Sequence, residues 1–314
     1  MKVLFISSGK SGDVGNVVKN QGESLIKAGI SISYYPIKSG FSGYMRSVAG
    51  IRKAYRQGKY DLAHAHYGLS GFAAAFAGCS PLVVSLMGSD IYFSRLLRLA
   101  AFFFYRYRWD LTIVKSQQMK EKAGLKKAII VPNGVNLERF VPMEKSEARK
   151  HLDLRTNNKI ILFIADPGRH EKNHELAEKA SGLLENEAEL ICINSVPNVE
   201  IPYYLNASDV LLLTSRWEGS VNVIKEAMSC CTPVVSTRAG DAEWLLGNLP
   251  GHFLCSPDES DIAEKLRLAI TYKEHFGKTR GRQRIKELKL DSVSVSNSLA
   301  LIYKEVMTGN EDNN

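Results

Sequence analysis

Apolar runs of strand length alternate along this chain with longer segments in which apolar residues recur at helical spacing. This alternation is typical of parallel α/β sheets, in which a helix returns the chain to the same end of the sheet after each strand. In the first half, the pattern predicts strands at residues 2–7, 30–36, 62–65, 82–86, 111–114 and 128–131. It predicts helices at residues 17–28, 44–57 and 92–107. We therefore expect a doubly wound α/β domain at the N-terminal end.

A polar stretch at residues 144–158 interrupts the alternation shortly after the turn sequence Pro132-Asn133-Gly134. The pattern restarts with strands expected at residues 159–165, 189–193, 210–214 and 233–236, and with helices at 175–184 and 222–229. Apolar residues at helical spacing between positions 293 and 307 predict one more helix. We therefore predict an N-terminal Rossmann-like domain over residues 1–150, a C-terminal one over 151–290, and a closing helix with a frayed tail over 291–314.

The composition fits two folded domains without disulfide bonds. Of the 314 residues, 45% are hydrophobic, which is enough to build two ordinary cores. The charged fraction of 24% is that of an ordinary folded protein. The five cysteines form no C-x-x-C pair, so a zinc site and a disulfide scaffold are disfavoured and a reducing, cytoplasmic compartment is expected. No stretch reaches the roughly 20 apolar residues that a membrane-spanning helix needs.

Charge is divided unequally between the two halves of the chain. Residues 1–156 contain 24 Lys and Arg against 10 Asp and Glu, whereas residues 157–314 contain 17 against 23. No zinc finger, basic zipper or RNP-like aromatic motif accompanies the basic residues, so nucleic acid is a disfavoured partner. An anionic membrane is the favoured partner, because residues 92–108 interleave Leu and Phe with four arginines. A generic basic surface, with residues 92–108 as a core helix, is the alternative.

The loop after the first predicted strand contains glycines at every third position, Gly9, Gly12 and Gly15. This spacing is not the G-x-G-x-x-G of dinucleotide-binding folds, and the strand at 30–36 ends without the acidic residue that would hold an adenosine ribose. An NAD enzyme is therefore disfavoured. Gly12 stays a candidate for close contact with a ligand, and a flexible turn is the alternative. The chain also lacks a G-K-[ST] phosphate loop and a D-x-D pair, so no metal dependence is expected.

Two carboxylates eight residues apart mark the most informative segment of the second half. Glu218 follows a predicted strand, and Glu226 lies about one turn into the next predicted helix. The residues between them would present backbone N–H groups at the start of that helix, an arrangement suited to a phosphate. The candidate residues of this turn are Gly219, Ser220, Val221 and Asn222. The alternative is that Glu218 is a helix cap and Glu226 a surface residue.

Two cations follow another strand of the same predicted sheet. Arg169 and Lys172 lie in the loop after the strand at residues 159–165, which should end at the same edge of the sheet as Glu218. A planar guanidinium and a compact ammonium together suit two adjoining phosphates. A pyrophosphate that carries sugars on both sides would match the two acids and the two cations.

These motifs together resemble the retaining nucleotide-sugar glycosyltransferases of family 4, which have the GT-B fold of two Rossmann-like domains facing a cleft. The pair Glu218 and Glu226 matches the E-x7-E motif of that family, and the segment from Asp166 to Lys172 looks like a variant of its phosphate-binding loop. Four further segments resemble other elements of the family, namely residues 64–68, 88–90, 132–140 and 231–236. The resemblance covers nearly the whole chain.

The resemblance implies that the C-terminal domain binds the nucleotide-sugar and the N-terminal domain binds the acceptor. It implies that Glu218 contacts hydroxyls of the donor sugar and that Glu226 contacts the ribose. It also implies that Arg169 and Lys172 contact the pyrophosphate. The last helix is expected to close back on the N-terminal domain.

One position departs from the family pattern. Met87 stands where many members have a histidine that supports the donor sugar. His66 or His64 is a candidate replacement, and each is equally explained as a hydrogen-bonded structural histidine. The loop that contains Val196 is expected to help to read the base and the sugar.

We therefore expect an enzyme that transfers a sugar from a UDP- or GDP-sugar, with retention and without a metal or other cofactor, to a lipid-linked or surface-polysaccharide acceptor. The expected location is the cytoplasm, with peripheral contact at the inner face of the membrane. A nucleotide-sugar 2-epimerase or a phosphorylase on the same fold is a related alternative. A non-catalytic protein with a basic binding surface is an alternative from another class, which salt-sensitive binding to nucleic acid would favour.

Overall fold

The fold is known from a computed structural model that describes residues 1–9, 13–38, 40–154, 158–185 and 187–311. The chain divides into two compact units. The N-terminal unit comprises Met1–Gly134 together with Ser292–Asn314, and the C-terminal unit comprises Val135–Asp291. Of the frayed tail predicted at residues 310–314, residues 312–314 lie outside the described residues.

The N-terminal unit is built on a six-stranded parallel sheet with the order β2-β1-β3-β4-β5-β6. Its strands are β1 (Lys2–Gly9), β2 (Ser31–Lys38), β3 (Leu62–His66), β4 (Leu82–Ser85), β5 (Leu111–Val114) and β6 (Ile129–Ile130). Its first six helices are α1 (Asn16–Lys27), α2 (Phe41–Gly58), α3 (Gly68–Phe76), α4 (Ser89–Tyr92), α5 (Arg95–Tyr107) and α6 (Gln117–Ala123). The central strands are buried on both faces, as expected for a parallel sheet between helices.

The C-terminal unit contains a five-stranded parallel sheet with the order β11-β10-β9-β7-β8. Its strands are β7 (Lys159–Ile164), β8 (Ala188–Ile193), β9 (Val210–Leu213), β10 (Val234–Thr237) and β11 (His252–Cys255). Its helices are α7 (Lys145–His151), α8 (His174–Gly182), α9 (Ile201–Ala207), α10 (Asn222–Ser229), α11 (Ala242–Leu246), α12 (Glu259–Phe276) and α13 (Gly281–Glu287), with a short 3-10 turn at His170–Lys172. The predicted class, two doubly wound α/β domains with parallel sheets, is confirmed.

The last helix, α14 (Ser292–Glu311), belongs to the N-terminal unit. Leu299 and Tyr303 of α14 are fully buried in one hydrophobic cluster with Val3 and Phe5 of β1. Burial of this apolar stripe explains why the helical spacing near the end of the sequence predicted a closing helix.

The long helix expected at residues 92–107 is two helices. Ser94 adopts an extended conformation and its hydroxyl accepts a hydrogen bond from the Leu97 N–H, so it caps a new helix that begins at Arg95. The division between the units also lies earlier than residue 150. Phe140 and Val135 are buried in the core of the C-terminal unit, and Val135 forms a parallel bridge with Asp291. These contacts attach residues 135–150 to the second unit.

Candidate active site

Three loops meet at the carboxyl edge of the sheet in the C-terminal unit. They follow β7, β9 and β10, which are neighbours in the order β10-β9-β7 and run parallel. Parallel strands end at the same edge of a sheet, so the loops after them are close in space, and this is where ligands bind in open α/β sheets. The loop after β7 contains the predicted cations, and the loop after β9 contains Glu218.

Lys172 and Glu218 lie in direct contact. The Lys172 Nζ is 2.5 Å from Glu218 Oε1, and the Ser215 hydroxyl donates a hydrogen bond of 2.7 Å to the same oxygen. Both charged side chains are only 14% exposed. The sequence placed these groups 46 positions apart along the chain, and the parallel strands bring them together.

The backbone that carries this pair is fixed by a further set of hydrogen bonds. The Thr214 hydroxyl lies 2.9 Å from the carbonyl oxygens of both Lys172 and Asn173. Asn173 has a left-handed conformation with φ of 53°, which ends the 3-10 turn and starts α8. The Thr237 hydroxyl donates to the carbonyl of Ser215, which ties the end of β10 to the same loop. Together these bonds join the loops after β7 and β9 and the end of β10.

Arg169 has a different partner from Lys172. Its guanidinium is half exposed and pairs with Glu171, to which Nε donates at 2.7 Å. The side chain therefore lies in the same loop as Lys172 while its charge is directed at a neighbouring carboxylate. A long, exposed arginine can change partner at little energetic cost, since surface ion pairs contribute about 0–1 kcal/mol.

The turn between the two acids is held by Asp241, a residue that the sequence analysis did not consider. Asp241 Oδ1 accepts the Val221 N–H at 2.7 Å, and the Ser220 hydroxyl donates to Asp241 Oδ2 at 2.9 Å. The Asn222 N–H bonds to the Ser220 carbonyl at 3.1 Å. The N–H of Val221 is thus directed at a carboxylate of the protein. The N–H groups of Val223 and Ile224, in the first turn of α10, lie before the first intrahelical acceptor, so a helix start directs them at an acceptor outside the helix.

Glu226 lies one turn into α10 and is partly exposed. Burial of its carboxyl group raises its pKa to about 7, and the nearby charges of Lys225 and Arg139 oppose this rise. A carboxylate with such a pKa is poised between its two protonation states at neutral pH, a property common among groups at functional sites. Arg139, in the segment before α7, had not been singled out from the sequence.

The candidate histidines of the N-terminal unit, His64 and His66, are buried among other side chains of that unit. His66 is 2% exposed, and its ring stacks on His64 at a centroid distance of 4.2 Å. Burial, with a smaller contribution from Lys115, lowers the pKa of His66 to about 3. Among the described residues, none forms a hydrogen bond to His66 Nε2. His64 is hydrogen-bonded on both sides, by Nδ1 to the Tyr303 hydroxyl at 2.5 Å and by Nε2 to the Ser85 hydroxyl at 2.8 Å.

The sequence also predicts that two further positions, Gly12 and Val196, contact the ligand. Gly12 lies outside the described residues. Val196 is partly buried in the loop after β8 and packs against the hydrophobic cluster that contains Ile193 and Leu205. Two of the residues that sequence reasoning missed, Ser215 and Asp241, each follow a predicted strand within a few positions. That placement is a signal that could have found them.

Comparison with known proteins agrees with this architecture. A family model described as "Glycosyltransferase Family 4" matches residues 3–139, and one described as "Glycosyl transferases group 1" matches residues 142–286. Sucrose-phosphate synthase from Thermosynechococcus elongatus has a similar structure, with a TM-score of 0.81 and 17% identity over 98% of this chain and 99% of that chain. The Anabaena protein HepE, solved in complex with UDP-glucose, has a TM-score of 0.75 and 19% identity over 97% and 100%.

Two relatives in sequence are described as glycosyltransferases as well. A protein described as a putative teichuronic acid biosynthesis glycosyltransferase, TuaC of Bacillus subtilis, is 30% identical over 68% of this chain. The match covers 61% of that relative, which is less than two thirds of its length. An Escherichia coli enzyme described as UDP-Gal:alpha-D-GlcNAc-diphosphoundecaprenol alpha-1,3-galactosyltransferase is 23% identical over 69% of this chain and 68% of its own length.

The fold is the GT-B fold, and the N-terminal and C-terminal halves of the chain match the glycosyltransferase family 4 and group 1 models, respectively. The chain is therefore similar in sequence and in fold to GT-B glycosyltransferases.

Proposed function

We propose that this protein is a glycosyltransferase that transfers a sugar, with retention and without a metal ion, from a UDP- or GDP-sugar to a lipid-linked or surface-polysaccharide acceptor. The observation that carries the proposal is the contact of Lys172 with Glu218 beside the first turn of α10. This contact supports the proposal because a lysine suited to a diphosphate and a carboxylate suited to sugar hydroxyls lie at one edge of one sheet, beside the start of a helix. Retention rests on the resemblance to family 4 alone.

The difficult step is departure of the nucleoside diphosphate from an anomeric carbon that becomes cationic. As the bond to the anomeric carbon breaks, negative charge develops on the leaving diphosphate. The N–H groups of Val223 and Ile224 at the start of α10 would stabilise that charge from fixed positions, which is an effective form of electrostatic catalysis. Lys172 and Arg169 would add to this stabilisation by exchanging their carboxylate partners for the diphosphate. Glu218 would accept hydrogen bonds from hydroxyls of the sugar, and Glu226 would accept hydrogen bonds from hydroxyls of the ribose. His66 stays a candidate for the support of the donor sugar, and Gly12 stays a candidate for close contact with the ligand.

The donor assignment is supported by what similar proteins bind or use. HepE was solved with UDP-glucose, and the E. coli relative is named for UDP-Gal. The acceptor assignment is supported by the same relative, whose name gives a diphosphoundecaprenol acceptor, and by the name of TuaC. We accordingly propose that the reaction takes place at the cytoplasmic face of the membrane and that nucleic acid is not a partner.

Peripheral contact with an anionic membrane is part of this proposal and is supported by the surface of α5. The inward face of the helix packs through Ala101 and through Phe104, whose ring lies 4.6 Å from that of Phe72. The outward face is apolar too, with Leu96 78% and Tyr107 67% exposed. The other exposed apolar residues here are Phe93, Leu99, Phe102 and Phe103.

Cations flank this outward face. Arg95 and Arg106 are exposed on α5, and the neighbouring loop, which bonds to Tyr105 through the Lys127 N–H, contains Lys126 and Lys127. Exposed aromatic and leucine side chains beside Arg and Lys suit the boundary between acyl chains and anionic headgroups. Within the described residues, no helix is long and apolar enough to cross a bilayer.

A panel of UDP-, GDP- and ADP-sugars, screened by thermal shift, tests the donor assignment. A ligand present at about 100 times its Kd adds about 2.7 kcal/mol to the free energy of unfolding, so the true donor should raise the melting temperature by several degrees. The donor that binds is then incubated with and without an undecaprenol-diphosphate-linked sugar. Transfer to the lipid supports the proposal. Conversion of the donor alone to an epimer, or absence of any shift with the UDP- and GDP-sugars, contradicts it.

A further inference from the structure

A buried ion pair lies beside the turn that connects Glu218 to α10. Lys225 is 1% exposed and Asp241 5% exposed, and their charged atoms are 4.0 Å apart. Lys225 belongs to α10, whereas Asp241 precedes α11 in the loop after β10. The pair therefore connects two elements whose ends form the candidate site.

The polar atoms of the pair converge on two residues of the turn. Lys225 Nζ donates to the Ser220 hydroxyl at 2.6 Å, and that hydroxyl donates to Asp241 Oδ2 at 2.9 Å. The other oxygen of Asp241 accepts the Val221 N–H at 2.7 Å. Ser220 is thus held by an ammonium on one side and by a carboxylate on the other. Val221, the residue that caps α10, is held through its backbone.

The same loop contacts Glu218 directly. Gly240 has φ of 61°, and a Cβ atom built on it would lie 2.9 Å from the Cβ of Glu218. Any side chain at position 240 would therefore collide with the acid. Residues 240 and 241 thus pack against both ends of the segment 218–221.

Stability alone is a poor explanation for this pair. Removing two charges from water costs several kcal/mol per ion, and well-packed apolar residues often stabilise such a site as well or better. Apolar side chains, however, would leave the Ser220 hydroxyl and the Val221 N–H without these partners. What only the charged pair supplies is directional bonds to the turn.

We propose that Lys225 and Asp241 are positioning residues of the active site, which fix residues 218–221 and the start of α10 in the orientation needed to receive the diphosphate of the donor. This inference rests on the proposed function. Preorganised N–H groups are effective only when their direction is fixed before the reaction. Loss of either charge should therefore loosen the turn and impair the leaving-group site.

The chain provides a matched control at the opposite edge of the same sheet. Asp209 is 1% exposed, its Oδ1 lies 2.6 Å from Lys145 Nζ, and its Oδ2 accepts the Ile160 N–H at 2.9 Å. Like Asp241, it is a buried aspartate that forms an ion pair with a lysine and accepts a hydrogen bond from a backbone N–H. It precedes β9, whereas the candidate site follows that strand. Asp209→Asn should weaken folding much as Asp241→Asn does, without touching the turn.

The experiment compares wild type, Asp241→Asn, Lys225→Met, Ser220→Ala and Asp209→Asn at a temperature at which circular dichroism shows that each variant tested is folded. Turnover is measured with the UDP- or GDP-sugar that wild type uses. We expect kcat to fall at least about tenfold in Asp241→Asn and Lys225→Met and to stay within about twofold in Asp209→Asn. Ser220→Ala keeps both charges, tests the hydroxyl that joins them, and serves if a charge variant does not fold.

Hydrogen exchange followed by mass spectrometry gives a readout that needs no donor. Amides of the peptide that covers residues 218–224 should exchange faster in Asp241→Asn, Lys225→Met and Ser220→Ala than in wild type. In Asp209→Asn, these amides should exchange at the wild-type rate. Equal exchange in all proteins, or equal losses of kcat in Asp241→Asn and Asp209→Asn, overturns the inference. If wild type binds no nucleotide-sugar, the proposed function fails, and the exchange comparison still decides whether the pair fixes the turn.

Discussion

Lys172 Nζ lies 2.5 Å from Glu218 Oε1, and each of these side chains is largely buried. The proposed function assigns Lys172 to the diphosphate of the donor and Glu218 to its sugar. In this structure the two charges neutralise each other. A diphosphate would offer Lys172 a stronger partner and release Glu218 for hydroxyls of the sugar. Under the proposed function, the contact would therefore link the binding of the diphosphate to the binding of the sugar.

Replacing Lys172 by alanine should lower kcat by at least about tenfold, because one fixed positive charge is removed from the leaving diphosphate. Steady-state transfer with the identified donor measures the change. Lys179→Ala is the control, since Lys179 forms an exposed ion pair with Glu175 on α8. Near-normal turnover of a folded Lys172→Ala protein would remove this residue from the proposed site.

Arg169→Ala should also lower turnover at least about tenfold, provided that the guanidinium leaves Glu171 for the diphosphate. The matched control is Arg267→Ala, which breaks a similar exposed pair with Glu187. The free energy of unfolding should change by less than about 1 kcal/mol in both variants, because each pair is exposed. Equal turnover of the two variants would show that Arg169 is only a surface residue.

Glu226 should make the stability of the protein depend on pH. Burial raises its pKa in the folded state to about 7, above its usual value of about 4.3, so the folded protein binds a proton more tightly than the unfolded chain. Stability is therefore lost as the pH rises from about 4.3 to 7. Urea unfolding should show that Glu226→Gln, relative to wild type, gains on the order of 1–3 kcal/mol at pH 8 compared with pH 5.

The exposed Glu189→Gln serves as the control for this comparison and should show no such pH-dependent gain. Donor binding should change in the opposite sense. The ionised carboxylate is the better acceptor for ribose hydroxyls, so the donor affinity of wild type should rise as the pH passes through about 7. An affinity with the same pH profile in Glu226→Gln would argue against contact with the ribose.

The outward face of α5 should determine binding to anionic vesicles. Because Leu96 and Phe103 are exposed, Leu96→Ser together with Phe103→Ser should leave folding intact and reduce co-sedimentation with phosphatidylglycerol vesicles by about tenfold or more. Changing Arg95, Arg98, Arg106 and Arg108 to Ser should have a similar effect. Phe276→Ser removes a phenylalanine of α12 that is more exposed than Phe103, and this variant should bind as wild type does. Unchanged binding of the α5 variants would contradict the membrane assignment.

Tyr303→Phe should destabilise the N-terminal unit. The Tyr303 hydroxyl is buried and bonds to His64 Nδ1 at 2.5 Å, so its removal leaves a buried ring nitrogen without this partner. Such a loss costs about 1–3 kcal/mol. Urea unfolding measures it against Tyr107→Phe, which changes an exposed hydroxyl and should have no measurable effect. Equal stability of the two variants would show that α14 is held by apolar contacts alone.

Most strands and several helices could be predicted from the sequence, because parallel strands buried on both faces appear as short apolar runs. Helix α12 was not predicted, although Ile262, Leu266 and Ile270 recur at helical spacing on its buried face. The unit boundary could not be read from local polarity. The polar stretch that indicated it contains α7, and residues 135–140 join the second unit through contacts with residues distant in sequence.

The sequence by itself determined the class of fold and the identity of the acids and cations, because hydrophobic periodicity and motif spacing are local properties of the chain. Only the tertiary structure decided which of these residues touch. It brought Lys172 to Glu218, directed Arg169 at Glu171 and surrounded His66 with buried side chains. The partners of the turn, Lys225 and Asp241, became visible only there, since a contact between residues far apart in sequence depends on which strands are neighbours in the sheet.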